Sequence, residues 1–150
     1  MTQRRQIIAA GLGLALTAVV RPAAATPEKM AAAIAAFTGN TLPKTGRIHL
    51  DIAKLIDNGN TVPVTITVDS PMTAADHVTD IAIFNEKNPE TDVIRCMLGP
   101  RSGKAQIATR IRLATSQKLT AVARMSDGSC WQHTVDVIVA LAACLEGEAL

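Results

Sequence analysis

From Gly46 onward, apolar and polar residues alternate in short runs divided by turn formers. Val62, Val64, Ile66 and Val68 stand against Pro63, Thr65 and Thr67, and Ile107, Thr109, Ile111 and Leu113 against Gln106, Ala108, Arg110 and Arg112. A period of two is that of a strand with one face packed and the other wet. The pattern predicts seven strands: Arg47 to Ile52, Val62 to Val68, Val78 to Phe84, Asp92 to Leu98, Ala105 to Leu113, Lys118 to Met125 and Trp131 to Leu141. Asp57-Asn58-Gly59-Asn60, Asp69-Ser70-Pro71, Asn85 to Pro89, Gly99-Pro100 with Ser102-Gly103, and Ser126-Asp127-Gly128 mark the connections. Short strands with no long helix between them predict an all-β, antiparallel sandwich. Pro63 cannot donate to a ladder and belongs on an edge, or where its amide is not needed.

Ahead of the strands, Thr26, Pro27 and Glu28 have the character of a helix start, Met30, Ile34 and Phe37 repeat at helical spacing, and Gly39 is a stop. That segment predicts a short amphipathic helix covering a sheet or a partner. At the other end, Trp131, His133, Val135, Val137, Val139 and Leu141 alternate with Gln132, Thr134 and Asp136, and the strand then runs into Ala142, Ala143 and Cys144. The stretch from Leu145 to Leu150 is too short for another element. The expectation is a thiol on a tether at the end of a strand that the core holds down.

The first 25 residues stand apart. Arg4 and Arg5 precede an apolar run of 14 residues, Ile7 to Val20, and Ala23-Ala24-Ala25 offers a small-residue cleavage site. The run is short for a bilayer that takes about 20 residues. The adjacent arginines, with Thr2-Gln3 before them and Gln6-Ile7-Ile8 after, predict a twin-arginine leader, which exports proteins already folded, here to the periplasm. The expected organisation is a leader at 1–25, a sandwich at 26–141 and a cysteine-bearing arm at 142–150, with no membrane association once the leader is cut.

Charge follows from this division. The whole chain carries +2, but the leader holds three arginines and no acids, so the remainder falls to −1. Phosphate-neutralising patches need clustered Lys and Arg, and only Arg101, Lys104, Arg110 and Arg112 come close. With two Phe, one Trp and no Tyr, stacking platforms are few, and nucleic acid is excluded as a partner.

Chemistry is equally sparse. His49, His77 and His133 show no metal-ligand spacing, Asp51 beside His49 is an ordinary same-face pair, and no nucleophile with its base is legible. No glycine loop cradles phosphate, and no cysteine has a C-x-x-C partner. The chain has three cysteines, enough in an exported protein for one disulfide and one thiol left over. Along a straight strand Cys130 and Cys144 stand roughly 40 Å apart, far beyond the ~7 Å of a bridge. Two alternatives stay open for Cys96 and Cys130: a structural disulfide across the fold, or two small buried apolar groups. Cys144 differs by its place, because a thiol on a short arm can be carried into another protein's active site. Glu146 and Glu148 beside it disfavour the thiolate, so activation would come from a partner.

Several motifs then converge. Asp57-Asn58-Gly59-Asn60-Thr61-Val62-Pro63-Val64, Asp69-Ser70-Pro71-Met72-Thr73, Ile81-Ala82-Ile83-Phe84 with Asn88-Pro89, Ser102-Gly103-Lys104-Ala105, Thr109-Arg110-Ile111-Arg112-Leu113-Ala114, and Ala121-Val122-Ala123 with Met125-Ser126-Asp127-Gly128-Ser129 give Glu28 to Cys144 a resemblance to SoxY. SoxY is the sulfur-carrying subunit of the thiosulfate-oxidising Sox system. The resemblance implies an immunoglobulin-like sandwich paired with a SoxZ-like subunit as a heterodimer. It also implies a carrier, not an enzyme, with no cofactor beyond sulfur intermediates held covalently on Cys144. A c-type cytochrome would load thiosulfate there, a hydrolase would release sulfate, and the remaining sulfur would be oxidised or passed on. The family's usual ending is Gly-Gly-Cys-Gly-Gly, whereas this chain has Ala142-Ala143-Cys144-Leu145-Glu146. Alanine and leucine restrict an arm that glycine leaves supple. The departure implies partner enzymes with a wider or differently shaped entrance, another reduced sulfur cargo, or a subunit that keeps only an interaction and scaffold role.

Overall fold

A computed structural model describes residues 24–141. After helix α1 (Pro27–Thr38) come eight strands: β1 (Ile48–Asp51), β2 (Leu55–Asn58), β3 (Val62–Val68), β4 (Val78–Asn85), β5 (Asp92–Met97), β6 (Gln106–Ile111), β7 (Gln117–Met125) and β8 (Cys130–Leu141). They form a three-stranded sheet in the order β1-β3-β6 and a five-stranded sheet in the order β2-β8-β7-β4-β5. The main core lies between the sheets, where Leu50, Val64 and Ile66 from one meet Ile81, Ile83, Leu119 and Ala121 from the other. The all-β sandwich expected from the alternation, immunoglobulin-like as the family resemblance implies, is the observed class.

Helix α1 forms where the sequence places it. Thr26 caps it, its Oγ1 accepting from the Lys29 amide at 3.2 Å, Pro27 opens it, and Gly39 closes it at φ 61°. The helix covers the outer face of the five-stranded sheet. Phe37 packs edge-on to Phe84 with ring centroids 5.7 Å apart, and Met30, Ala33 and Ile34 lie over Ala82 and Val122. Strands β4 and β7 are therefore buried on both faces. That explains why Ile81-Ala82-Ile83-Phe84 is continuously apolar where β3 alternates.

The topology corrects the sequence expectation in strand direction and in strand number, eight and not seven, and places Pro63 as expected. The sandwich is not wholly antiparallel, because β2 runs parallel to β8, with Leu55 opposite Ile138 and Asn58 opposite Leu141. This strand of four residues overlaps the Asp57-Asn58 turn signal, which hid it. β7 pairs with β8 only as far as Val137, and β2 takes the far end from the other side. Pro63 sits in β3, the central strand of its sheet, yet β1 pairs only from Thr65 onward, so the half carrying Pro63 has β6 alone beside it. The proline is locally at an edge.

A polar knot fixes the end of the sandwich near the β4–β5 turn. The fully buried Asn85 donates Nδ2 to the carbonyls of Glu90 at 2.6 Å and Thr91 at 3.1 Å, while its Oδ1 accepts the Lys87 and Asn88 amides. Asn88 Oδ1 accepts from the Ala114 amide at 2.9 Å and from Gln117 Nε2 at 2.8 Å. The Asn88 carbonyl accepts from the amide of Ala25, a buried residue, at 2.8 Å. No helix among the described residues is long and apolar enough to cross a membrane.

Candidate functional site

Strand β8 carries the residues that matter, and its two ends are held differently. At the first end, Cys130 stands opposite Arg124 and Trp131 opposite Ala123, and Lys44 joins on the other side through a parallel bridge to Trp131. Lys44 and Arg47 place cations 5.8 and 5.7 Å from the Trp131 ring centre. Next along, His133 turns inward and its Nδ1 accepts the Leu50 amide at 2.9 Å, satisfying an otherwise open edge of β1. The His49 ring stacks on His133 with centroids 5.1 Å apart and planes 22° from parallel. Sequence spacing gave no hint of this pair, since 83 residues separate Leu50 from His133.

The histidine pair is poorly suited to a metal. A neutral His133 that accepts at Nδ1 carries its proton on Nε2, so neither nitrogen has a lone pair to spare. Among the described residues no three His, Cys, Asp or Glu side chains gather as metal ligands. His77 is apart, its Nδ1 2.9 Å from the Thr73 carbonyl.

Cys96 and Cys130 are both free thiols, which removes the disulfide alternative. Cys96 on β5 is opposite Ile81, and Cys130 on β8 is opposite Arg124. With β7 and β4 between their strands, three spacings of ~4.8 Å put them ~14 Å apart, twice what a bridge spans. Ile81 faces the main core and Arg124 faces Phe37 on the helix side, so the two thiols also point to opposite faces. Cys130 is buried, and burial pushes its thiol up from the ordinary range, away from the reactive thiolate. Cys96 is half-buried.

At its far end β8 runs out beside β2, where Leu141 is the partner of Asn58. The Val139 amide is held by Ser116 Oγ at 2.9 Å and the Ile138 amide by the Lys54 carbonyl at 2.8 Å. A cavity of about 690 Å³ opens alongside, lined among others by Asp51, Leu55, Asn58, Thr65, Thr109 and Arg110. It offers threonine hydroxyls and one guanidinium against two carboxylates, Asp51 and Asp57. Cys144, the residue singled out by the sequence, lies outside the described residues, as do residues 1–23 of the expected leader.

A family model described as "Sulfur oxidation protein SoxY" matches residues 34–144, most of the chain. The chain belongs to the SoxY family. Among solved structures, the sulfur carrier protein SoxY from Chlorobium limicola f thiosulfatophilum is 28% identical, with a TM-score of 0.61 over 75% of this chain and 96% of that one. Membership in SoxY makes this a carrier-type protein of sulfur oxidation and not an enzyme. Superoxide reductases share the fold alone. That from Ignicoccus hospitalis is 16% identical with a TM-score of 0.56, covering 77% of this chain and 94% of its own. That from Nanoarchaeum equitans is 17% identical with a TM-score of 0.54, covering 64% and 100%. A comparison with curated proteins gave no match.

Proposed function

We propose that this SoxY-family chain is a periplasmic sulfur carrier that holds thiosulfate-derived intermediates covalently on Cys144 and presents them to the enzymes of the Sox system. The observation that carries the reading is that the family match runs as far as residue 144, three residues past the last residue of β8, Leu141. A thiol three residues past a strand end can reach at most ~10 Å beyond it. Of the two thiols among the described residues, Cys130 is buried with its thiol pushed up, and Cys96 is half-buried on the edge strand β5.

The chemistry balances without a group resident in this chain. The Cys144 thiolate and thiosulfate join through a new S–S bond, and the two electrons released go to a c-type cytochrome. Water then cleaves the bond between the outer sulfur and the sulfonate, releasing sulfate and two protons and leaving a persulfide on the arm. A hydrolase supplies that second step. Export by the twin-arginine route and pairing with a SoxZ-like subunit complete the proposal; the leader motif at Arg4-Arg5 and family membership support them.

The test is mass spectrometry of protein from cells oxidising thiosulfate. The expected result is an added mass on the peptide bearing Cys144, absent from a Cys144→Ser variant that no longer supports thiosulfate oxidation. A variant as active as the parent would favour the scaffold role instead. The restricted Ala142-Ala143-Cys144-Leu145 setting is the observation behind that second reading.

A further inference from the structure

Four large apolar side chains are exposed among the described residues, and two of them are neighbours. Leu42 and Met97 stand singly, 86% and 89% exposed, whereas Leu55 and Ile138, 64% and 60% exposed, are register partners on β2 and β8. Residues opposite one another in a ladder project from the same face. One step on, Ile56 and Val139 turn toward the core, so Leu55 and Ile138 share the outer face. Lone apolar residues on a surface need no account. An apolar pair at a sheet corner, with exposed Lys54, Asp57 and Asp136 around it, has the apolar centre and polar rim of a contact surface.

We propose that Leu55 and Ile138 are the docking patch for the enzymes that act on the Cys144 arm, seating the apolar rim of the entrance that receives it. The proposal rests on the carrier reading of Cys144. Reach is the argument for this occupant. Ile138 lies ~10 Å along β8 from Leu141, and three further residues place Cys144 at most ~10 Å beyond that point. A protein that closes around the thiol therefore presses on the end of β8. An interface of standard size, ~800 Å² on this side, has a radius of ~16 Å, so one centred on the end of β8 takes in Ile138 and the adjoining Leu55. Asp136 on the same face is already paired, its Oδ1 2.6 Å from Lys118 Nζ, so the visitor need not neutralise it. Met97 is on β5, at the opposite edge of the sheet, outside that footprint.

The test compares three proteins in cells growing on thiosulfate: the parent, a Leu55→Asn/Ile138→Asn double variant, and Cys144→Ser. Readouts are thiosulfate-dependent oxygen uptake, the fraction of Cys144 carrying an adduct, and the mass of the purified complex by light scattering. The double variant should melt as the parent does, keep the parent's complex mass, and lose about tenfold or more in uptake and loading, as losing two contact side chains implies. Parental uptake and loading in the double variant, with both lost in Cys144→Ser, would overturn the patch and leave the carrier standing. Cys144→Ser with parental uptake would sink the carrier reading and the patch with it. A smaller complex for the double variant would give the surface to a subunit contact, which also overturns the proposal. If the double variant folds poorly, single Ile138→Thr, a strand-compatible change, serves with the same readouts and an expected loss of severalfold.

Discussion

The two ends of β8 present one strand in two mechanical settings. Its first half is gripped on both sides, by β7 from Cys130 to Val137 and by the Lys44 bridge, with two cations near the Trp131 ring and His133 latched to Leu50. From Ile138 on it has only β2, of four residues, with the Lys54 carbonyl and a serine hydroxyl. The difference teaches where stability and where use reside. Local opening costs least where backbone partners are few, so under the proposed carrier role the end offered to visitors is the lightly held one. A carrier needs its anchor to stay rigid while its delivery end yields.

The comparison can be broken first at the anchor. His133→Leu removes the acceptor for the Leu50 amide and should cost about 1–3 kcal/mol, the penalty of an unpaired donor at a half-buried position. Urea unfolding would measure it; an unchanged midpoint would mean that water substitutes and the latch is idle. At the delivery end, Ser116→Ala frees the Val139 amide and should cost less, about 1 kcal/mol. Its sharper signature is local, with hydrogen exchange speeding up at Val139 while amides in Leu119–Ala123 stay as slow as in the parent. Equal acceleration across β7 would show that the two ends of the sheet open as one unit.

The smallest effect is electrostatic and lies in the turn that feeds the anchor. Asp127 Oδ1 accepts from the Ser129 hydroxyl at 2.6 Å and from the Ser129 amide at 2.8 Å, and these bonds, the hydroxyl foremost, hold its carboxyl below the usual range. A carboxyl depressed in the folded state adds stability that is fully present above its unfolded value of about 3.9 and disappears as pH falls through the lower folded value. The gap in melting temperature between the parent and Asp127→Asn should accordingly be constant near neutrality and close below about pH 4. A gap that widened on acidification would reverse the assignment.

Much of this was legible because local rules suffice for it. The cap at Thr26, the stop at Gly39 and the alternation of Val62 to Val68 depend only on near neighbours, and the helix and seven of the strands appear where those signals lie. β2 escaped because a strand of four residues next to Asn58-Gly59 has too few alternations to outweigh a turn signal. The separation of Cys96 from Cys130 and the stacking of His49 on His133 escaped for another reason. Both depend on strand order, which no periodicity encodes. The exposed pair Leu55 and Ile138 needed the parallel register as well, since in sequence each is one apolar residue among many. Cys144 lies outside the described residues, and the role proposed for it rests on its place in the chain and on family membership.

The bond from the Ala25 amide to the Asn88 carbonyl has a further consequence. Asn88 is knotted to Ala114 and Gln117, and Gln117 lies across from Val137, so the described chain begins at the pole of the molecule where β8 leaves β7. One polar knot thus pins the start of the fold and the last turn of its main sheet together, and loosening it would free both at once.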